Sequence, residues 1–111
     1  MIQLDLTPDA NVSHFVLRSS LDSKDYDFTF LWNERRGLWT LSMHTQAQEA
    51  IVLSRVLRHG RNLLSRAHSL NTPSGILFCW SNTPRDTSPP RLGDLGGRVG
   101  IYYASEKELA P

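Results

Sequence analysis

The sequence of 111 residues has a single cysteine, Cys79, and no long uninterrupted run of apolar residues. One cysteine cannot form a disulfide within the chain, and its apolar neighbours predict a small buried side chain rather than an activated thiol. The first residues lack a cationic stretch followed by an apolar core, and no segment reaches the ~20 apolar residues of a membrane helix. We therefore expect no signal peptide, no membrane span and synthesis in the cytoplasm.

Patterns of a catalytic or metal centre are also missing. The four histidines have no ligand spacing to one another or to the cysteine, whereas structural zinc sites use closely paired ligands. Neither a G-x-S-x-G elbow nor a glycine-rich phosphate loop occurs. Asp25 and Asp27 stand beside a lysine on the predicted solvent side of a strand, where carboxylates are usually solvated. The sequence predicts no catalytic residue, no metal ion, no cofactor and no small-molecule substrate.

Charge is distributed unevenly, although the formal net charge is only +1. Residues 1–49 contain seven acids and four bases, whereas residues 50–98 contain seven arginines against two acids. Arginine is enriched at protein interfaces because its planar fork makes bidentate contacts. The candidate partner contacts are therefore Arg55, Arg58, Arg61, Arg66, Arg85, Arg91 and Arg98. Those from Arg55 to Arg66 form what we call the basic ridge. It is either a binding surface for an acidic partner or a nucleic-acid backbone, or a solvated edge whose charges block unwanted strand pairing.

The segment from Tyr26 to Met43 has large apolar residues at every second position, on both sides of a turn at 33–37. This period of two predicts a β-hairpin with one buried face, and Gly37 suits the end of the turn because glycine tolerates positive φ. Together with the last strand, the hairpin supplies the residues that we predict to define the fold: Phe28, Phe30, Trp32, Gly37, Trp39, Leu41, Val99, Ile101 and Tyr103.

Shorter alternating segments predict further strands at 2–6, 13–17, 76–80 and 98–104, with a break at 19–23 and a long proline-stiffened loop at 81–97. Residues 50–70 fit helical spacing nearly as well as extended spacing. We favour a strand over 50–57, because the segment contains β-branched residues and follows a hairpin. One helical turn at 61–64 is expected after it.

The fold class expected from these segments is all-β, a small antiparallel barrel or sandwich of about seven strands with at most one short helical turn. Residues 1–104 are predicted to form a single domain, and residues 105–111 a frayed tail. Most aromatic residues fall in the inward phase of the predicted strands.

Two segments resemble one family of phage proteins, LWNERRGLWTLSM at 31–43 and LGDLGGRVGIYY at 92–103. Both are similar to the small baseplate plug proteins of contractile-tailed bacteriophages, typified in a cyanophage. The opening IQLDL and the chain length fit as well, so the resemblance covers nearly the whole chain. The residues that fall on the two motifs are Trp32, Asn33, Arg35, Gly37, Trp39 and Leu41, then Asp94, Leu95, Gly96, Arg98, Val99 and Tyr103. The stretches 55–68 and 82–91 depart from the family pattern.

The resemblance implies a structural virion protein of the tail baseplate without enzymatic activity. It implies a plug or clamp near the central tube and hub, with tube, hub and wedge proteins as partners and several copies around the tail axis. It also implies that specific nucleic-acid binding is not its role. Asp94 and Arg98 are expected to pin the turn into the last strand.

The alternative hypothesis is a stand-alone nucleic-acid-binding β-barrel that uses the basic ridge. Binding of single strands would require exposed aromatic residues beside that ridge, and the inward phase of the aromatic residues argues against it.

Overall fold

The computed structural model describes residues 2–4, 6, 13–65, 67, 72–83 and 85–109. Seven strands and one helical turn follow in order: β1 (Ile2–Gln3), β2 (His14–Leu21), β3 (Lys24–Asn33), β4 (Leu38–Thr45), β5 (Ala50–Val56), β6 (Ile76–Ser81), β7 (Val99–Ala104) and α1 (Glu106–Leu109). They form two antiparallel sheets, one in the order β2-β3-β4-β5 and one in the order β1-β7-β6. The predicted all-β class is confirmed. Across the described residues the sheets do not close into a barrel, so the architecture is the sandwich.

The β3–β4 hairpin has the predicted register. Trp32 lies opposite Trp39, and Asn33 lies opposite Leu38, which leaves a four-residue loop. Gly37 ends that loop at φ +65°, and its N–H donates to the carbonyl of Asn33 at 2.8 Å. The loop closes without strain because glycine has no Cβ to clash in this left-handed conformation.

The core lies between the inner faces of the two sheets. Its largest fully buried side chains include Trp39, Tyr103, Phe28 and Phe30. Of the other residues that the sequence singles out, Leu41, Val99 and Ile101 are buried, and Trp32 packs against the cluster while half-buried. Alternate residues of β3, β4 and β7 face this core, because successive side chains of a strand point to opposite faces.

The predicted break at 19–23 is wrong in its extent, since β2 continues to Leu21. Ser19 and Ser20 pair with Tyr26 and Asp25 of β3, so only a two-residue turn remains. Both turn residues, Asp22 and Ser23, have positive φ, at 53° and 67°. That pair of angles is typical of a tight hairpin turn whose twist matches its strands. Ser19 and Ser20 are polar, as turn residues often are, so nothing in the sequence indicates that the strand continues through them.

The predicted strand at 50–57 is found as β5, and the chain then crosses from one sheet to the other. Leu57 N–H still donates to the carbonyl of Trp39, but His59 already forms a bridge with Cys79 of β6. Leu63 N–H donates to the carbonyl of Leu77, also in β6. Hydrogen-bonded turns, rather than the predicted helical turn at 61–64, complete this crossing.

The only described helix is α1, in the tail that the sequence predicts to be frayed. Ser105 and Glu108 cap it reciprocally: the Ser105 Oγ accepts from the Glu108 N–H, and the Glu108 carboxylate accepts from the Ser105 N–H. This capping box satisfies backbone donors at the start of the turn. Fraying of residues 105–111 stays a prediction.

Candidate partner-binding surface

The structure places the described part of the basic ridge at the seam between the two sheets. Arg55 lies in β5, while Arg58 and Arg61 lie in the segment that crosses to β6. Arg61 is exposed and the other two are half-buried. None of the three forms a salt bridge with another described residue. Arg66 lies outside the described residues.

Arg98, in contrast, is bound inside the chain, and its side chain is only 14% exposed. The guanidinium donates to the backbone carbonyl oxygens of Asp86, Ser88 and Pro89 at 3.0 to 3.2 Å, and to the Asp94 carboxylate at 3.1 Å. Arginine suits this position because its planar fork reaches several acceptors at once. Arg98 therefore organises the long loop around itself, and its contact with a partner stays a prediction.

Asp94 completes the attachment of this loop to the core. Its carboxylate accepts from the Arg91 N–H at 2.7 Å, and its carbonyl accepts from the Val99 N–H at 3.0 Å. The Arg91 carbonyl in turn accepts from the indole N–H of buried Trp39 at 3.0 Å. Asp94 and Arg98 together pin the turn into β7, as the sequence analysis expects. The side chains of Arg91 and Arg85 remain exposed.

Sequence reasoning missed a row of aromatic rings on the outer face of the β1-β7-β6 sheet, which we call the aromatic face. Trp80 is 50% exposed. The centroid of its ring lies 4.1 Å from that of His59 and 6.3 Å from that of Phe78, and Phe78 stacks on Tyr102 at 5.8 Å. The expectation that the aromatic residues point inward is thus wrong for these rings.

The run from Ile76 to Trp80 gave a wrong prediction for its aromatic side chains, because five consecutive apolar residues are typical of a strand buried on both faces. The structure resolves the run into two phases, with Leu77 and Cys79 fully buried and Phe78 and Trp80 outside. The aromatic residues occupy one phase only, and this alternation was the signal available in the sequence.

His59 holds the Trp80 ring in place. Its Nδ1 accepts a hydrogen bond from the Ser81 N–H at 3.2 Å, so the neutral ring carries its proton on Nε2. A Cβ placed on the next residue, Gly60, would stand 3.7 Å from the Trp80 ring. Arg58 and Arg61 flank these two residues in the chain. Two arginines therefore lie within two residues of His59 in the chain.

The outer face of the other sheet is different, and we call it the aliphatic face. Its exposed large side chains are Val16 at 60%, Leu31 at 52% and Leu53 at 60%. Towards the β2–β3 turn this face becomes acidic, with Asp25 and Asp27 on β3. Hydrogen bonding from Arg18, at 2.8 Å, lowers the pKa of Asp27 below its ordinary value. The Asp27 carboxylate is thus kept ionised.

Two other kinds of site are absent from the described part of the chain. It contains no group of three or more His, Cys, Asp or Glu residues positioned to hold a metal ion. No helix there has the length and apolar character that crossing a membrane requires.

A family model described as cyanophage baseplate Pam3 plug gp18 matches residues 1–106. The match includes both the hairpin segment at 31–43 and the terminal segment at 92–103. A search of curated proteins returned no match.

Proposed function

The chain belongs to the cyanophage baseplate plug family, and from this membership we propose that it acts as a plug or clamp near the central tube and hub of a contractile phage tail. The observation that carries the proposal is the family match over residues 1–106. Membership of the family indicates a structural component of the tail baseplate, and we propose that the chain has no enzymatic activity. Synthesis in the host cytoplasm would precede its incorporation into the virion.

The surface described above supports a role in assembly. Arg58 and Arg61 have no salt-bridge partner among the described residues, so their charges are available to carboxylates of neighbouring tube, hub or wedge subunits. Bidentate pairs of this kind fix the register of two surfaces. Many polar contacts of modest strength also suit a part that must hold before infection and release during contraction.

The rigid loop around Arg98 supports the same role. The loop is tied to β7 and to Trp39 by hydrogen bonds, so it can present Arg85 and Arg91 without losing much conformational entropy on binding.

Complementation of a phage from which this gene is deleted tests the proposal. The wild-type chain should restore complete baseplates in electron micrographs and should be found in purified tails by mass spectrometry. The double variant Arg58→Glu with Arg61→Glu should be depleted from tails, because it reverses the charge offered to neighbours. Lys24→Glu with Arg36→Glu is the matched control, since both cations are exposed and lie beside or in hairpin turns outside the basic ridge. Absence of the wild-type chain from complete tails would overturn the proposal.

The second candidate function is binding of single-stranded nucleic acid, and the aromatic face is the observation that favours it. Bases stack on exposed aromatic rings beside cationic side chains, with affinity that falls steeply with salt. Titration of purified protein with a labelled oligonucleotide tests this candidate. Salt-sensitive binding that is lost in Trp80→Ala would support it, and no binding at low salt would exclude it.

A further inference from the structure

Exposed apolar surface is concentrated on the two outer faces of the sandwich. Six large apolar side chains are exposed among the described residues, and four of them lie on these faces: Val16, Leu31 and Leu53 on the aliphatic face, and Trp80 on the aromatic face. The sheets pack through their inner faces, so these two surfaces point in opposite directions. Exposed apolar side chains gathered on one face of a domain are candidates for an interaction site.

The charges beside the two faces have opposite sign. Arg58 and Arg61 lie within two residues of His59, whose ring packs on Trp80 of the aromatic face, and they lack a salt bridge to any described residue. On the aliphatic face, Asp25 accepts hydrogen bonds from neutral groups, the hydroxyl of Ser20 and the amide of Gln46. Among the described residues no cation forms a salt bridge with this carboxylate. Arg18, the cation on that face, is paired with Asp27, so Asp25 supplies the unpaired charge there, opposite in sign to Arg58 and Arg61.

We propose that the aromatic face of one copy of this chain docks on the aliphatic face of a second copy. Trp80 packs near Val16 of the partner's aliphatic face, which lies closer than Leu31 to the acidic end of that sheet, so Arg58 and Arg61 can approach that end. The contact is heterologous, joining different surfaces of two identical molecules. An isologous contact of two aromatic faces would oppose like-charged arginines. Every docked copy leaves one face free for the next copy, so the assembly grows as a ring or a filament.

The aromatic side chains are already held in fixed positions in the isolated chain. Trp80 is already held between the rings of His59 and Phe78, so little side-chain entropy is lost on binding. Tryptophan and arginine dominate binding energy at protein interfaces. The body measures 33 Å along both of its longer axes, which is enough to bury the roughly 800 Å² per partner of a standard interface.

Sedimentation velocity of the purified full-length chain tests the proposal. Three variants are compared: Trp80→Ser, which damages only the aromatic face, Val16→Ser with Leu31→Ser, which damages only the aliphatic face, and Leu92→Ser as control. Leu92 is exposed but lies in the long loop, away from both faces. Circular dichroism melting establishes that each variant is folded, which the outward orientation of all four side chains favours.

The wild type and Leu92→Ser should assemble, and Trp80→Ser should weaken association at least ~30-fold, as expected for loss of a binding hot spot. Neither face variant should assemble alone. An equimolar mixture of the two should form a dimer and nothing larger, because the intact aliphatic face of one meets the intact aromatic face of the other. High salt should weaken assembly by screening the charges.

Three results would overturn the proposal. The first is a wild-type chain that stays monomeric at concentrations up to about 1 mM, where even a weak interface with a free energy of about −4 kcal/mol is half occupied. The second is assembly that survives in either face variant, which would indicate an isologous contact through the face left intact or a contact elsewhere on the chain. The third is a mixture of the two variants that stays monomeric while the wild type assembles. Oligonucleotide binding by Trp80 without self-association would assign the aromatic face to nucleic acid. The test uses the purified chain alone, so its outcome is independent of the proposed function.

Discussion

The phenol of Tyr103 donates a 2.5 Å hydrogen bond to the carboxylate of Asp22, which lies 81 residues earlier in the chain. The same oxygen accepts a hydrogen bond from the Gly75 N–H at 2.9 Å. Tyr103 belongs to β7 and Asp22 to the β2–β3 turn, so one buried hydroxyl joins the two sheets and the segment that precedes β6. Nothing in the spacing of these residues along the chain indicates that they meet.

Removal of this hydroxyl should destabilise the fold. In Tyr103→Phe the Gly75 N–H loses its acceptor and Asp22 loses its donor, and an unsatisfied buried group costs about 1 to 3 kcal/mol. Urea denaturation measures the free energy of unfolding. The matched control is Tyr102→Phe, because Tyr102 lies on the outer face of the same strand and its hydroxyl bonds no described residue. Equal stability of the two variants would show that the hydroxyl of Tyr103 contributes nothing.

Stability at alkaline pH should depend on the same residue. Burial, with a further contribution from the hydrogen bond to Asp22, raises the pKa of Tyr103 to about 12. An unfolded tyrosine ionises near pH 10, so the folded state holds a proton that the unfolded state releases. The stabilising contribution is complete below pH ~10 and is lost as the pH rises towards ~12.

The slope of unfolding free energy against pH measures this effect. Between pH ~10 and ~12 the slope should be shallower in Tyr103→Phe than in the wild type. Burial also raises the pKa of Cys79 and of Tyr26, but both residues are present in the two proteins, so the difference isolates Tyr103. Parallel curves would contradict the assignment.

The long loop should depend on Arg98. Arg98→Ala removes the donor shared by three loop carbonyls and the charge that faces Asp94. We expect a loss of about 2 to 3 kcal/mol and faster amide hydrogen exchange in residues 85–97. Arg98→Lys should restore little, because lysine keeps the charge but lacks the fork. Arg85→Ala is the control, since that side chain is exposed; equal exchange in the Arg85 and Arg98 variants would argue against this role.

Two glycine substitutions separate backbone strain from steric overlap. Gly96 and Gly37 both have positive φ, at 83° and 65°. A Cβ on Gly96 would stand 2.7 Å from the carbonyl oxygen of Leu6, whereas a Cβ on Gly37 meets no atom within 4 Å. Gly37→Ala should therefore cost about 1 kcal/mol, and Gly96→Ala clearly more. Thermal melting compares the two variants, and equal melting temperatures would contradict the close approach of Leu6.

The thiol of Cys79 should be unreactive in the folded protein. Its side chain is fully buried, and burial raises its pKa to about 11. The thiolate is the reactive species, so both effects suppress modification. A thiol reagent should label the chain only as fast as the chain unfolds, and the rate should rise with urea. Rapid labelling of the native protein at neutral pH would show that the site is accessible.

The sequence by itself determined the secondary structure of the hairpin and the class of the fold. A period of two in large side chains, interrupted by a turn that ends in Gly37, is a local property, and local properties need no knowledge of the rest of the chain. The same holds for the burial of Trp39. The strand predicted at 50–57 was favoured over a helix by a small margin, and it is the structure that confirms it as β5. The two motifs at 31–43 and 92–103 carried the family resemblance, which the match over residues 1–106 confirmed.

Only the tertiary structure determines which of the candidate side chains remain at the surface and which are bound within the chain. Arg58 and Arg98 look alike in the sequence, but only folding brings the loop carbonyls around Arg98 and leaves Arg58 without a salt bridge to a described residue. The outward orientation of the aromatic side chains was likewise not predicted, because a run of apolar residues does not indicate whether one face or both faces of the strand are buried. Burial and hydrogen bonding are properties of contacts between distant segments, and those contacts exist only once the two sheets have packed.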